Sequence, residues 1–254
     1  MEPKKGHVLF TSVLLIQAGL ELATAIDAAA AAGVRGCTAP PDASAPFRTL
    51  AAMVNASIAS GFLDDHRGGG GLLLATDTVG HNSQPDVWGS GLAVGIGAGT
   101  DAQRARIARA LAEGADRIFR WGQARHLPLP LCWEVAGLQH AGAANPNQCT
   151  ESGKEGWCGG APCGSYQNGG YWATPLGWLL PAVAVHNASV AARLLEQVLA
   201  DFEEHGINEA VNHEFVYSSP PKQGPRTYVG TMGYLASAAS VYSAIWEPVV
   251  DDDN

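Results

Sequence analysis

Tyr166, Gln167, Asn168, Gly169, Gly170, Tyr171 and Trp172 run straight into Ala173-Thr174-Pro175 and a helix of small residues, and their side chains suit a sugar ring. Aromatic faces take up the apolar C–H side of a pyranose, planar amides pair with hydroxyls, and the Gly pair lets the backbone come close. An aromatic loop that merely caps a helix has the same composition, so its company must decide. Carboxylates stand in three other places: Asp86 ahead of Trp88, Glu134 behind Trp133, and Glu209 in a polar segment with Asn208, Asn212 and His213. His81, beside Asn82 and Gln84, and the pair Arg125-His126 offer donors for hydroxyls. Trp88, Trp133, Tyr166, Tyr171 and Trp172 complete the set of candidate subsite aromatics. No G-x-S-x-G occurs, and the glycines from Gly68 to Gly71 lack the G-K-[ST] of a phosphate loop.

A chain of 254 residues, 46% hydrophobic and 15% charged, can bury a sizeable core, and we read it as one domain over 1–254. Fifteen Lys+Arg against 24 Asp+Glu give a net charge of −9, which disfavours nucleic acid and anionic membranes and suits a neutral substrate. Cys132, Cys149, Cys158 and Cys163 crowd together without any C-x-x-C, a pattern that suits disulfide staples better than a metal, and no metal or cofactor is expected. Two sequons, Asn55-Ala56-Ser57 and Asn187-Ala188-Ser189, with the cysteines, lean toward a secretory or extracellular location. Near the N-terminus, Lys4 and Lys5 precede an apolar run that has the look of a leader. Helical spacing of Leu14, Ala18, Leu22, Ala25 and Ala29 favours a core helix instead. No apolar run reaches membrane-spanning length without a charge.

Seven helical segments position these residues. Residues 101–119 open on the capping box Thr100-x-x-Gln103 and align Ile107, Leu111, Ala115 and Ile118; residues 188–205 align Val190, Leu194, Val198 and Phe202 and stop at Gly206. Each has a polar opposite face. Trp88–Ile96, Pro175–Val185 and Tyr228–Trp246 carry almost no charge, and a helix apolar all round must be buried on every side. Thr174 and Pro175 supply a cap and first turn for the second, with Pro181 expected to kink it. Thr11–Ala32 and Pro46–Ser60 form a further pair. Buried and surface helices therefore alternate. Long connections, from Gly61 to Val87, Arg120 to Ala173 and Gly206 to Thr227, lead into the buried helices, so they should open on one end, where a site belongs.

That alternation resembles the six-hairpin glycosidases. The residues carrying the resemblance are Asp86-Val87-Trp88-Gly89-Ser90, Arg125-His126-Leu127-Pro128, Trp133-Glu134, Tyr166 to Trp178, and Gly206-Ile207-Asn208-Glu209. It implies an all-α fold, an (α/α)6 toroid-like array of helical hairpins. Fewer helices are legible than six hairpins require, so the chain is similar to a C-terminal portion of the barrel, with a Cys-rich insertion near 141–165. The activity implied is inverting hydrolysis of an oligosaccharide or glycoside by two carboxylates ~5 to 9 Å apart. Glu209 matches the place where similar barrels carry the base. Asp86 or Glu134 would be the acid, its pKa raised by an indole neighbour, although Asp86 also fits a helix N-cap. An incomplete barrel would leave inner helices uncovered, inviting self-association or a role in binding glycan or partner without turnover. A lyase on a similar toroid needs cations for its acidic sugar, and arginines are sparse.

Overall fold

A computed structural model describes residues 8–33, 40, 42–62, 71–74, 84–129, 131, 169–212, 227–229 and 233–246. Among them the elements run α1 (Leu9–Ala31), α2 (Ala45–Gly61), α3 (Val87–Gly95), α4 (Asp101–Glu113), α5 (Ala115–Ile118), β1 (Phe119–Arg120) and β2 (Gln123–Ala124). After these come α6 (Leu176–His186), α7 (Ala188–His205), β3 (Ala210–Asn212), β4 (Thr227–Val229) and α8 (Leu235–Trp246). The described residues are mostly helical.

Packing separates two kinds of helix. The series α1–α3–α6–α8 forms by successive contacts, while α2 packs on α1, α4 on α3 and α6, and α7 on α6. The middle of the series is buried as expected: Val87, Gly89, Ser90, Gly91, Leu92 and Ala93 of α3, and Leu176, Gly177, Leu179, Leu180, Ala182 and Val183 of α6. Small residues there let the axes approach. A Cβ on Gly91 would overlap Leu179 Cδ2. Polar groups inside are paired across helices: Gly177 N–H donates to Ser240 Oγ (2.7 Å), and Trp178 Nε1 donates to the Trp88 carbonyl (3.2 Å).

The outer helices follow their sequence patterns. Thr100 and Gln103 close the capping box on α4, and Ile107, Leu111, Ala115 and Ile118 are buried. Asn187 caps α7 by accepting from Val190 N–H (3.1 Å), and Gly206 ends it with φ 78°. Each fully buried Leu or Ile on these stripes contributes about 1.5–3 kcal/mol.

Four expectations change. The 101–119 segment breaks at Gly114 and ends at Ile118, where Phe119 turns into a strand. Thr174 does not cap α6: Pro175 holds the N-cap position, and the Thr174 hydroxyl lies buried without a hydrogen-bond partner among the described residues. On α1 the buried stripe is Leu9, Val13, Ile16, Gly19 and Ala23, whereas Leu14, Ala18, Leu22 and Ala25 face outward; the helix is so uniformly apolar that its pattern does not select a face. Finally, 228–246 is not one buried helix. Thr227–Val229 is strand, α8 starts at Leu235, and it exposes Leu235, Tyr242 and Ile245. Among the described residues α1 is the one helix long and apolar enough to cross a membrane by length and composition.

Candidate functional site

The described margins of the long connections lie together, where short strands stitch them to one another. β1 and β2 form a hairpin; Ala124 pairs with Trp172; Tyr171 pairs with Val211 of β3; and β3 pairs with β4. Tyr171 and Trp172 therefore act as the middle strand of a ribbon, bonded to β2 through Ala124 N–H to Trp172 O (2.8 Å) and to β3 through Val211 N–H to Tyr171 O (2.8 Å). The ribbon feeds the starts of the buried helices. Val87 N–H, at the first turn of α3, donates to the His126 carbonyl (2.9 Å), and Asp86 N–H donates to Leu73 O (2.8 Å).

Alternation along a strand sends neighbouring side chains to opposite faces. Trp172 stands opposite Ala124 and shares its face with His126. There the Trp88 indole stacks on the His126 ring with centroids 3.6 Å apart and planes 21° apart, and Trp172 meets both edge-on at 6.0 and 6.3 Å. This corner joins residues from the start of α3, the segment after β2 and the segment before α6. Trp88 and His126 stay partly exposed while Trp172 is buried.

The other face holds Tyr171 and Arg125, whose guanidinium lies 5.8 Å from the Tyr171 ring centroid. Arg125 is 1% exposed; Nε donates to Gly169 O (2.8 Å) and Nη2 to Leu131 O (3.1 Å), so it ties both margins of the intervening segment to the ribbon. Burial pushes the Tyr171 phenol above its ordinary range, with Arg125 and Arg120 pulling the other way. Trp121 meets Tyr171 edge-on at 5.8 Å, and Arg120 sits 4.6 Å over the Trp121 ring. Tyr171 and Trp172, grouped in the sequence as one platform, thus serve different faces.

Of the carboxylates, Asp86 is buried and its Oδ1 accepts from Gly89 N–H (2.8 Å), the N-cap of α3. Glu209 is half-buried, directly ahead of β3, and the preceding Asn208 donates from Nδ2 to the carbonyls of His205 and Gly206 (3.1 and 3.0 Å), fixing the turn off α7. Glu134, Trp133, His81, Tyr166, Gln167, Asn168, His213, the five cysteines and the 141–165 insertion lie outside the described residues. Among the described residues no group of three or more His, Cys, Asp or Glu is placed to hold a metal ion.

Three participants escaped the sequence reading. Trp121 and Gly122 form a two-residue hairpin turn with φ 51° and 73°, the signature of a primed turn, and X-Gly between short runs was its signal. Asp201 is 3% exposed on the apolar stripe of α7, three residues past Val198. Its Oδ2 accepts from Gln123 Nε2 (2.8 Å) and its Oδ1 from the Tyr228 hydroxyl (2.9 Å). An acid on an apolar face is the mark that could have revealed it. No known family model matches this chain, and no curated protein matches it.

Proposed function

We propose that the chain is a carbohydrate-active protein, a glycoside hydrolase of the six-hairpin kind, built on an arc of an (α/α)6 ring. The observation that carries this reading is the corner of Trp88, His126 and Trp172, two indoles and an imidazole brought from three segments to the end where the connections meet. Such a corner offers apolar ring faces and a hydrogen-bonding imidazole to a pyranose. The ring reading draws support from the series α1–α3–α6–α8 with α2, α4 and α7 as outer partners. Glu209 acts as the base on water, and Glu134 or Asp86 donates the proton to the leaving oxygen. The substrate is a neutral oligosaccharide or glycoside. Replacing Glu209 by Gln tests the assignment on a panel of aryl glycosides and oligosaccharides: hydrolysis is expected to disappear with saccharide binding retained, and a variant that cleaves as fast as the parent removes Glu209 from the role.

A second reading, glycan binding without turnover, is favoured by one contact. The Asp86 carboxylate is buried and engaged in capping α3, which leaves the donor role to Glu134. Saccharide binding with no product from any substrate of the panel selects this reading. On either, the apolar sides of α1 and α8 meet a second copy of the chain.

A further inference from the structure

The two bonds to Asp201 join segments that the ribbon holds far apart. Gln123 lies on β2 and Tyr228 on β4, with the Tyr171-Trp172 strand and β3 between them. Three strand spacings amount to about 14 Å in a flat sheet, yet one carboxylate receives both donors. Register accounts for this: Gln123 alternates with Arg125, and Tyr228 stands opposite Val211, which stands opposite Tyr171, so all these side chains share the face turned toward α7. Gly122, at the hairpin tip, also seats on α7, where a Cβ would overlap the Val198 backbone nitrogen. His205, one helical turn beyond Asp201, lies 5.0 Å from the Tyr228 ring. Both margins of the ribbon are thus fastened to one outer helix, and Asp201 supplies a hydrogen bond to each.

We infer that Asp201 is a positioning residue: by gathering β2 and β4 onto α7 it sets where β3 lies against Tyr171-Trp172, and so where Glu209, the residue directly ahead of β3, stands relative to the aromatic corner. The consequence for chemistry rests on the proposed role of Glu209; the consequence for the ribbon does not. Carboxylate acceptors of this kind hold two donors at once, and an amide in their place retains partial capacity. In Asp201→Asn the Gln123 side chain can turn its carbonyl toward the N–H of the new amide.

The test compares Asp201→Ala, Asp201→Asn and Tyr228→Phe in the full chain. Asp201→Ala is expected to lower kcat about tenfold or more with KM within about threefold, Asp201→Asn to recover most of that loss, and Tyr228→Phe to fall between. Amide exchange supplies the readout that needs no turnover. The mutually bonded Tyr171 and Val211 amides should exchange about tenfold faster in Asp201→Ala and in Tyr228→Phe, while those of Leu180 and Val183 in α6 stay protected. Unchanged exchange at Tyr171 and Val211 overturns the inference whatever the activity. Faster exchange in a protein that turns over no substrate upholds the ribbon clamp and strikes down the hydrolase reading instead. Faster exchange with kcat and KM both unchanged overturns the positioning of Glu209.

Discussion

Tyr171 and Trp172 are neighbours in sequence and strangers in space, and their separation makes the sharpest residue-level prediction. Trp172 is buried with its edge against the Trp88–His126 stack, so Trp172→Ala should weaken saccharide binding by about tenfold by removing the ring that holds the partly exposed pair in place. Tyr171→Phe keeps the ring on the opposite face and should leave saccharide affinity within about twofold. Isothermal titration with one oligosaccharide separates the two variants, and equal losses would mean that the faces do not divide as described. The same tyrosine predicts a pH effect. Burial raises the folded phenol pKa above its ordinary 10.0, so the unfolded chain gives up the proton first. Stability is therefore fully present below pH 10.0 and falls as pH rises through the raised value, because above the ordinary pKa the native state binds more protons than the unfolded one. Urea midpoints near pH 8 and pH 11 should drop more for the parent than for Tyr171→Phe; parallel drops would show that other groups govern the alkaline limit.

At the scale of elements, what the sequence made legible follows from how strongly each pattern contrasts. α4 and α7 alternate charged and apolar residues, and their caps emerge where the spacing puts them; the α4 stripe holds up to the break at Gly114, while on α7 Leu194 and Val198 are buried with Ala191 and Asp201, and Val190 and Phe202 only partly. Helices α3 and α6 are legible because Gly-rich apolar runs bounded by Asp86 and Pro175 have nowhere to go but inside. The same lack of contrast hides the buried face of α1 and hides the strand at Thr227–Val229, which Gly233, in a left-handed turn at φ 84°, separates from α8. Candidate-site residues are legible as types and not as partners: Trp88 and Trp172 stand out in the sequence, but the stacking of one and the edge contact of the other with His126 depend on strand pairings of single residues that no local pattern encodes. Arg125 carried the look of a hydroxyl ligand, and its burial against Gly169 and Leu131 comes from contacts across 44 and 6 positions. The β1–β2 hairpin is the element whose seating can be tested directly. Gly122 has φ 73°, and a Cβ there would overlap Val198 N and Leu194 O, backbone atoms that cannot swing aside. Gly122→Ala should cost about 2–4 kcal/mol in denaturant unfolding, since conformational strain and displacement of the hairpin from α7 add. A loss under about 0.5 kcal/mol would show that the hairpin tip does not seat on α7.

For the molecule as a whole, the decisive feature is that the series α1–α3–α6–α8 has two ends among the described residues. Packing runs α1–α3–α6–α8, and no extensively packed pair links α8 back to α1 among the described residues. Among the described residues the helices between the ends are covered on both sides, while the ends carry exposed apolar side chains: Leu14, Leu15 and Leu22 on α1, and Leu235, Tyr242 and Ile245 on α8, are all more than 40% exposed. Each buried leucine or isoleucine is worth about 1.5–3 kcal/mol, so covering several of them offsets a substantial part of the association cost. Charge does not oppose this at the α8 edge, whose helix carries no ionisable acid or base other than its tyrosine. The expected behaviour is reversible self-association of the purified chain, seen as a sedimentation coefficient that rises with concentration through the micromolar range. Replacing Leu235 and Ile245 by Gln removes apolar surface from one end at positions that are exposed already, which should shift the equilibrium to monomer without lowering the unfolding midpoint. Leu14→Gln with Leu22→Gln does the same from the other end if the contact joins unlike ends, and leaves association intact if α8 pairs with its own copy. A parent chain that sediments as a monomer at every concentration refutes association through these faces, and the apolar ends then need a different occupant.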